Sequence, residues 1–447
     1  MNHLPSNFSF DLRQAASIAE RLHHAGYQAL IAGGSVRDIL LGRPASDYDI
    51  ATDATPAQVT SLFKKTIHVG AHFGVVVVVE KGHEYEIATF RSDGDYTDGR
   101  RPDSVTFTDA EGDALRRDFT INGLFLQPET GKILDFVNGK ADLQNRLIRA
   151  IGDPLQRFAE DKLRLLRAIR FAATLGFDIE EKTWSALCKL APEIQVVSPE
   201  RIRDELTKIL LSPTRVRGFD LLDRSGLLQI LLPEITALKG CEQPPEFHPE
   251  GDVFVHTRLM LALLHDAVSL PLVLGVLLHD IGKVPTQTTD PTGRIRFNGH
   301  ETKSCEMGFD ILKHLRFPNA VIEPALTLVR HHMAFKDLQQ MRTAKLKRFL
   351  ARETIADEIE LHRVDCLSSH GLIDNLDFIK AKSEEFANEP LVPPPLVTGH
   401  DLINRGLRPG PLFKEILTTI ETAQLEKEIT DRESALKLLE ELVESVR

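Results

Sequence analysis

The sequence has few cysteines, and they lie far apart. Its 447 residues include only four of them, and no two form a Cys-x-x-Cys pair. Closely spaced cysteines are typical of disulfide-stapled secreted domains and of zinc-binding modules. Their absence excludes a disulfide framework and a cysteine-based zinc site, and it predicts reduced thiols in a cytoplasmic protein. The four residues are Cys188, Cys241, Cys305 and Cys366.

Long hydrophobic runs are missing as well. No apolar run approaches the ~18 residues of a membrane-spanning helix. The first residues, MNHLPSNFSFDLRQ, lack the pattern of a signal peptide. We therefore expect no membrane partner and no secretory leader. With 42% hydrophobic and 27% charged residues, the composition is that of an ordinary folded protein. The length predicts about three domains.

Basic charge is not in excess, since the net charge is −11. This value argues against a broad nucleic-acid-binding surface. The acidic excess is uneven, however: residues 371–447 contain 15 acidic and 9 basic residues and supply −6 of the total. Residues 91–170 contain 14 of each sign, with arginines clustered at 100–101, 116–117 and 157–170. A local RNA-binding groove is compatible with this distribution.

The first ~140 residues have the pattern of a mixed α/β region. An amphipathic helix is expected at about residues 12–25, a strand in YQALIAGG, a short helix in SVRDILLG and a strand around DYDI. The β-rich runs FGVVVVVE and EYEIATF are separated by Lys81-Gly82, which predicts a hairpin. SVTF and ILDF are further strand candidates.

From about residue 154 the apolar residues recur every three to four positions, which predicts helices. Pro154, Pro199 and Pro213 lie near the starts of these segments. Loops are expected at 241–252 and at 389–401, where three consecutive prolines forbid a helix. The predicted class is α+β. The predicted domains are a mixed-sheet head at 1–150, a helical neck and body at 151–240, an all-α domain at 241–390 and a helical tail at 391–447.

Asp47 and Asp49 flank Tyr48 in a short segment of strand character. Alternate residues of a strand point to the same face, so the two carboxylates are expected side by side. Cations relieve the repulsion between them. Two Mg²⁺ ions held in this way activate a hydroxyl group and stabilise a leaving pyrophosphate. The pair therefore predicts a metal-dependent phosphoryl-transfer site.

Gly33-Gly34 lies upstream, where an apolar strand ends and a helix begins. Glycine allows close approach of a ligand to the backbone, and the first N–H groups of a helix bind phosphate. Arg37, one turn into the helix, can reach a phosphate too. A lone Asp-x-Asp or Gly-Gly is usually a surface turn. GGSVRD followed by DYD, in a strand–turn–helix–strand arrangement, favours a nucleotide site.

GGSVRD…SDYDI resembles the signature motif of the polymerase-β-type nucleotidyltransferases. The resemblance is to the class II group, which holds CCA-adding tRNA nucleotidyltransferases and bacterial poly(A) polymerases. FGVVVVVEKGHEYEIATFRSDGDYTDGRRPDSVTF is similar to the sheet and flexible loop of that group, RRDFTING to its second motif, and GDPLQRFAEDKLRLLRAIRFAATLGF to its third and fourth. The match covers about residues 30–225 and implies a polymerase-β-like head. Gly123 departs from it, because the family usually has alanine after Asn122.

Asp161 and Arg164 are three residues apart and are expected on one face of a single helix. A carboxylate accepts hydrogen bonds and a guanidinium group donates them. The pair is thus complementary to the amino group and ring nitrogen of cytosine and adenine, and it is mismatched to uracil and guanine. The resemblance assigns base selection to these two positions. It also implies nucleotide binding by Arg167 and Arg170 and a phosphate or ribose contact by Arg117.

An ordinary ion pair on a solvated helix face is the alternative for Asp161 and Arg164. Glu86, on a strand adjacent to the DYD strand, is a candidate third carboxylate behind the metals. Glu205, in RIRDEL (201–206), resembles the family's fifth motif and is expected to support helices rather than to react.

A second set of candidate metal ligands begins near residue 250. His256 lies in the helical run VFVHTRLMLALLHD, His279-Asp280 ends the apolar run LGVLLHD, and Asp365 follows later in the chain. Imidazole and carboxylate groups together suit a divalent metal such as Ni, Mn, Mg or Fe. LLHDIGK and the spacing resemble the HD phosphohydrolase superfamily. An HD-type helical domain that holds no metal is the alternative, since isolated histidines on helices are usually structural.

Some HD members bind a second metal, and His300 with either His331 or His332 occupies the matching positions. The segment from LVTGHDLINRGLRPGPLFKEIL onward looks like the C-terminal region of HD-bearing members of the CCA-adding group. Its role is expected to be either contact with the RNA elbow or packing.

The resemblance implies addition of C and A to the 3′ end of tRNA, with CTP and ATP as substrates and the acceptor arm as partner. An enzyme adding only A would keep every motif, whereas the loop DYTDGRRPD disfavours one adding only CC. A poly(A) polymerase usually has a GRRF-like strand start where this chain has VGAHF (69–73). A rival of another class is an HD phosphohydrolase with a degenerate RNA-binding head. The intact GGSVRD…DYD argues against that rival.

Overall fold

The structure is a computed structural model that describes residues 10–45, 47–68, 74–94, 96, 99, 102–246 and 248–445. The chain divides into two compact units, Met1–Thr236 with His314–Arg316, and Ala237–Lys313 with Phe317–Arg447. The strand start at 69–73 and most of the loop DYTDGRRPD (95–103), used above against the rival activities, lie outside the described residues. Among the described helices, none combines the length and the apolar character that crossing a membrane requires.

The first unit is built around a mixed sheet. Its strands are β1 (Ala29–Ala32), β2 (Asp49–Thr52), β3 (Thr66–Ile67), β4 (Val75–Glu80), β5 (His83–Thr89), β6 (Arg91–Asp93), β7 (Val105–Phe107), β8 (Leu124–Gln127), β9 (Lys132–Asp135), β10 (Leu147–Ile148) and β11 (Asp178–Ile179). Seven of them form one sheet in the order β3-β4-β5-β2-β1-β8-β9. In this sheet β2 and β5 run parallel, and the other neighbouring pairs are antiparallel.

The predicted hairpin at Lys81-Gly82 is confirmed. Glu80 pairs with His83, so the loop between β4 and β5 contains two residues. Both loop residues have positive φ, 50° for Lys81 and 85° for Gly82. This conformation is that of the tight turns whose twist matches the twist of the flanking strands. The hairpin fixes the position of β5 next to β2.

Helices surround this sheet and continue beyond it. Those of the first unit are α1 (Phe10–His24), α2 (Gly34–Leu40), α3 (Pro56–Leu62), α4 (Ala110–Leu115), α5 (Gly139–Gln144), α6 (Pro154–Glu160), α7 (Leu163–Leu175), α8 (Glu181–Leu190), α9 (Pro199–Leu210), α10 (Arg215–Arg224), α11 (Leu227–Leu231) and α12 (Pro233–Thr236). Pro154 and Pro199 are the first residues of α6 and α9, as the sequence predicts. The buried face of α7 packs against α9 and α10.

The prediction of one continuous helix through Asp161 and Arg164 is wrong. Helix α6 ends at Glu160, Asp161 has extended backbone (φ −142°, ψ 106°), and α7 begins at Leu163. The Asp161 side chain accepts a hydrogen bond from the Leu163 amide at 3.0 Å. A short carboxylate that bonds the backbone two residues ahead competes with the helical hydrogen-bond pattern, which accounts for the break.

The second unit is helical. The elements from residue 237 onward are α13 (Val253–Leu263), α14 (Leu270–Leu278), α15 (Lys283–Thr286), β12 (Thr288–Thr289), β13 (Ile295–Arg296), α16 (His300–His314), α17 (Asn319–His331), α18 (Thr343–Leu350), α19 (Ile355–Ser368), α20 (Asp374–Glu385), α21 (Gly399–Asn404), α22 (Pro411–Leu425) and α23 (Arg432–Glu444). Helix α14 packs on α17, and α13 packs on α19. Helices α21–α23 share a separate apolar core. The predicted α+β class is confirmed.

Candidate active site and metal centre

Three carboxylates interact electrostatically near one end of the β2–β5 pair. Asp49 is the first residue of β2. In the parallel pair, the residues directly after Asp49 and Glu86 are register partners, so Glu86 lies beside Asp49. Asp47 precedes β2, which begins at Asp49. The prediction that both aspartates belong to one strand, with their side chains on the same face, is therefore wrong for Asp47.

The pKa of Asp49 is raised by lost hydration and by neighbouring negative charge. Asp49 is exposed, yet surrounding protein atoms displace water from its carboxyl group and raise its pKa. The charges of Glu86 and Asp47 raise it further, Arg117 opposes them, and the pKa is about 6. Oxygen ligands held together against their own repulsion are the donor set that divalent cations such as Mg²⁺ prefer. The residues present therefore fit a metal.

The glycine turn brings Arg117 close to the backbone. Gly33 has φ 75°, and a Cβ atom there would lie 2.8 Å from Arg117 Nη1. Arg117 is oriented by Asp113, whose Oδ2 accepts from Nη2 at 2.9 Å, and it donates from Nη1 to the Asn122 carbonyl at 3.2 Å. Gly34 is the first residue of α2. The first and second sequence motifs thus meet at this turn.

Arg37 and Asn122 join the same two motifs through their side chains. Arg37 Nη1 donates to Asn122 Oδ1 at 2.8 Å, and its Nε and Nη2 donate to Asp38 at 2.9 and 2.8 Å. Asn122 Nδ2 in turn donates to Asp118 Oδ1 at 3.0 Å. The other Asp118 oxygen accepts from Arg167 Nε at 2.8 Å and from its Nη2 at 2.5 Å. One connected network therefore orients two arginines that the sequence singled out.

Burial alone would raise the pKa of Asp118, but the charge of Arg167 and the hydrogen bonds from Asn122 and Arg167 hold it below its usual range. Arg170 is anchored separately, because its Nε donates to the buried Glu205 Oε2 at 2.6 Å. Glu205 thus holds α9 against α7, as expected for a residue that supports helices.

The side chains of Asp161 and Arg164 bond to other residues rather than to each other, although the Arg164 amide donates to the Asp161 carbonyl at 3.0 Å. Arg201 Nη2 donates to Asp161 Oδ2 at 2.7 Å. Arg164 Nη1 donates to Glu160 Oε2 at 2.5 Å and to the Arg157 carbonyl at 2.7 Å. Glu160 could have been identified from its spacing of four residues to Arg164, whereas Arg201 is 40 residues from Asp161 and has no such signal.

The second unit assembles a buried cluster of histidines and aspartates. His256 comes from α13, His279-Asp280 follows α14, His300 begins α16 and Asp365 lies on α19. The distances from His256 Nε2 to Asp365 Oδ1 and from His279 Nε2 to Asp280 Oδ2 are 3.2 and 3.0 Å. His300 Nε2 lies 3.3 Å from Asp280 Oδ1. All four ligand positions predicted for the HD site are therefore brought together.

His332, rather than His331, joins this cluster. Its Nε2 lies 3.0 Å from His300 Nε2, whereas His331 Nδ1 lies 3.5 Å from Glu358. Burial, and then the charge of neighbouring His279, lowers the pKa of His332 to about 3. A neutral imidazole is the form that binds a metal.

Hydrogen bonds at Nδ1 aim the rings inward. The Nδ1 atoms of His279, His300 and His332 lie 2.8, 2.8 and 2.6 Å from backbone carbonyl oxygens of their own chain segments. His256 Nδ1 instead lies 2.7 Å from Glu250 Oε1, which also contacts His248 Nδ1 at 2.9 Å. Each arrangement directs Nε2 into the cluster. Sequence reasoning missed Glu250 and His248, which lie in the 241–252 loop.

The cluster fits a metal by the polar atoms that it leaves unsatisfied. His256 Nε2 and Asp280 Oδ1 are buried and have no hydrogen bond of good geometry, although Asp365 Oδ1 and His300 Nε2 lie 3.2 and 3.3 Å from them. Burying such atoms costs free energy unless a cation or another partner compensates. Among the described residues, three groups bring their ligand atoms within 4.8 Å of one another, and all three belong to this region. They are His248-Glu250-His256, His256-His279-Asp280 and Asp280-His300-His332.

Three family models match consecutive parts of the chain. The poly A polymerase head domain matches residues 29–149, the probable RNA and SrmB-binding site of polymerase A matches 176–239, and the HD domain matches 253–368. The first contains the carboxylates of β2 and β5, and the third contains the histidine cluster. Each site therefore lies inside its own matched region.

Curated relatives are CCA-adding enzymes. The one from Streptococcus gordonii is 44% identical over 229 residues, which is 51% of this chain and 56% of that protein. The one from Geobacillus stearothermophilus is 46% identical over 48% of this chain and 53% of that protein. The chain thus spans about half the length of these relatives. The one from Levilactobacillus brevis is 32% identical over 98% of both chains.

Solved structures agree with these matches. The Bacillus stearothermophilus CCA-adding enzyme in complex with CTP has a TM-score of 0.72 and 28% identity, over 98% of this chain and 99% of that one. The Thermotoga maritima CCA-adding enzyme complexed with tRNA has a TM-score of 0.63 and 19% identity, over 99% and 97%, and shows the shared fold. With a 32% identical relative that it matches from end to end, the chain belongs to the family of CCA-adding enzymes.

Proposed function

We propose that this protein adds C and A to the 3′ end of tRNA, using CTP and ATP and releasing pyrophosphate. The observation that carries the proposal is the electrostatic interaction of Asp49 with Glu86 and Asp47, in the same unit as the arginines of α2 and α7. Relatives matched end to end are CCA-adding enzymes, and solved relatives were obtained with CTP, with ATP and with tRNA. The tRNA acceptor arm is the proposed partner.

Asp47 and Asp49 are the proposed ligands of Mg²⁺, and Glu86, which lies beside Asp49 in the β2–β5 register, is the proposed third carboxylate. When bound, the metal supplies positive charge to the α-phosphate region and to the attacking 3′-hydroxyl group. The turn at Gly34 brings backbone close to the nucleotide, and Arg37 and Arg117 donate hydrogen bonds to phosphate or ribose. These two arginines are held in place by Asp38 and Asp113, so little side-chain entropy remains to be lost when the nucleotide binds.

Asp161 and Arg164 are the proposed base-selecting residues, and Arg167 and Arg170 are the proposed nucleotide-binding residues. The ion pairs with Arg201 and Glu160 leave Asp161 and Arg164 fixed rather than freely rotating. A fixed acceptor and a fixed donor discriminate between bases because a wrong base leaves buried polar groups unpaired. The geometry supports this role for a carboxylate between α6 and α7 and a guanidinium group on α7, without requiring the continuous helix expected from sequence.

A second activity, metal-dependent phosphohydrolysis, is favoured by one observation. The cluster His256, His279, Asp280 and Asp365 is buried and contains unsatisfied ligand atoms, which is the arrangement of a metal site rather than of a packed core. We propose that it holds a divalent metal, with Ni, Mn, Mg and Fe as candidates.

The proposed domains are 1–150, 151–240, 241–390 and 391–447. The cysteines are free, which supports a reducing, cytoplasmic setting.

The proposal is tested with two radiolabelled tRNA transcripts, one ending before its CCA and one ending in CC. Each is incubated with enzyme, Mg²⁺, CTP and ATP, and the products are sized at single-nucleotide resolution. Three additions to the first and one to the second are expected. Extension of the CC-ended tRNA alone would identify an A-adding enzyme, and a long A ladder a poly(A) polymerase. No extension of either would refute nucleotide addition.

A further inference from the structure

Three guanidinium groups lie around one phenylalanine ring. The guanidinium carbon atoms of Arg37, Arg167 and Arg170 are 5.1, 5.3 and 4.0 Å from the centroid of the Phe171 ring. Arg37 comes from α2, and the other two come from α7 itself. A cation within about 6 Å of an aromatic face is attracted by the negative charge of that face. One side chain therefore contacts three arginines proposed above to bind the nucleotide.

A polar partner anchors each of these arginines as well. Asp38 holds Arg37, Asp118 holds Arg167, and Glu205 holds Arg170. Their side chains remain 11%, 33% and 16% exposed, so they are close-packed but not sealed from solvent. Three like charges so close together repel one another, and each needs a contact that restrains it.

Phe171 itself is fixed from behind. It is 4% exposed, and the Phe119 ring meets it edge to face with centroids 5.7 Å apart. Phe119 is buried and follows Asp118 in the RRDFTING motif. The ring is therefore held by the second motif while it contacts arginines of the first and fourth motifs. Hydrophobic burial accounts for a large apolar residue at 171, but it does not account for three cations placed around an aromatic ring.

We propose that Phe171 is a positioning residue for nucleotide binding, whose π-electrons hold Arg37, Arg167 and Arg170 as one group ready to receive a triphosphate. The inference rests on the proposed function. In this proposal the three arginines receive the triphosphate, which CTP and ATP share, so loss of the ring's negative face weakens binding of both nucleotides by the same factor. Discrimination against UTP and GTP, proposed for Asp161 and Arg164, stays unchanged.

The sharpest test changes the electrons of the ring and keeps its shape. The full chain is produced with fluorinated phenylalanines at position 171, from mono- to trifluorophenylalanine, and Kd is measured by calorimetry for CTP and for ATP with Mg²⁺. KM and kcat are measured for ATP on tRNA ending in CC and for CTP on tRNA ending before its CCA. We expect Kd and KM to rise stepwise with fluorination, by about tenfold in total for both nucleotides, with kcat changed less than KM.

Phe158 provides the matched control, since it is fully buried in α6 of the same unit. The same fluorinated residue at 158 is expected to leave Kd within about twofold, a difference that corresponds to a small fraction of one cation–π contact. Equal effects at 158 and 171, or no trend with fluorination at 171, would overturn the positioning role. If the unsubstituted protein bound neither CTP nor ATP, the proposed function itself would be refuted, which is a different result.

Discussion

The two clusters of potential metal ligands differ in how they compensate the negative charge of their carboxylates. In the first unit Asp49 is exposed, yet loss of water around its carboxyl group, and then the charges of Glu86 and Asp47, raise its pKa to about 6 against the effect of Arg117. In the second unit the carboxylates are paired with imidazoles. Burial alone would raise the pKa of Asp280, but His279 and Lys283 hold it well below its usual range.

The difference indicates when each cluster needs a cation. Carboxylates that repel one another in the open site gain most when the nucleotide arrives with its metals, as a phosphoryl-transfer site requires. The buried cluster compensates its own charge: Asp365 and Glu250 outweigh burial and raise the pKa of His256 to about 9. A metal that enters this cluster must therefore displace a proton from His256, because the neutral imidazole is the form that binds a metal.

The strongest test of this comparison removes one site and examines both. Asp49→Ala is expected to lower nucleotide incorporation at least about a thousandfold, since a metal contributes several kcal/mol to the transition state. His279→Ala is the reciprocal variant and should leave incorporation intact while abolishing metal retention in the second unit. Incorporation is measured on tRNA ending in CC, and bound metal by mass spectrometry after gel filtration. Incorporation that survives in Asp49→Ala would remove the metal role from that residue.

A smaller effect is expected from the carboxylate behind His256. Glu250→Gln removes the charge that orients the imidazole through Nδ1, and it should weaken metal binding about 10–100-fold. Glu246→Gln is the matched control, because Glu246 lies in the same loop with its side chain 73% exposed. Metal affinity is measured by competition with a chelator. Equal affinities of the two variants would show that Glu250 only packs against the histidines.

The sequence predicts those features whose interacting residues lie close together in the chain. Asp47, Asp49 and the Lys81-Gly82 hairpin lie within short segments whose spacing and residue types carry the structure. The roles of Glu250 and Arg201 could not be predicted from sequence, because each contacts a side chain that folding brings to it. The break at Asp161 was missed because the apolar periodicity continues through it, while the turn depends on one side-chain hydrogen bond.

The choice between two adjacent histidines of the HD cluster also could not be made from sequence. Periodicity and the LLHDIGK motif identified His256, His279, Asp280 and Asp365, but they did not distinguish His331 from His332. Adjacent residues at the end of a helix differ by about 100° in direction, so the choice depends on where the chain leaves the helix. Here α17 ends at His331, and the next residue carries its ring into the cluster.

The ion pairs of the first unit should make its stability depend on pH. The folded-state pKa of Asp118 is depressed, so its contribution is present above the unfolded pKa of ~3.9 and is lost as pH falls towards the folded value. Asp118→Asn is expected to destabilise this unit by ~2 kcal/mol at pH 7. That difference should shrink by ~1 kcal/mol between pH 5 and pH 3.

Calorimetric unfolding of the full chain at several pH values measures the change, and Asp310→Asn is the control because Asp310 is an exposed residue of the second unit. A difference between wild type and Asp118→Asn that stays constant down to pH 3 would mean that the pKa of Asp118 is not depressed. The result would then place the stabilisation of Arg167 on its aromatic contact rather than on its carboxylate partner.

The smallest effect concerns Gly123, where the family usually has alanine. Its φ of −90° suits any residue, but a Cβ atom would lie 2.6 Å from Val137 Cγ2 and 3.3 Å from Ile151 Cδ1. Gly123→Ala should therefore cost ~1 kcal/mol through overpacking, and Val137→Ala in the same chain should recover part of it. Because Asp118 holds the neighbouring Asn122 in place, KM for CTP and ATP should stay unchanged while Tm falls. A raised KM with an unchanged Tm would instead mean that the turn, and with it the hydrogen bond from Arg37 to Asn122, moves to make room for the methyl group. The open site would then be less rigid than its network of ion pairs indicates.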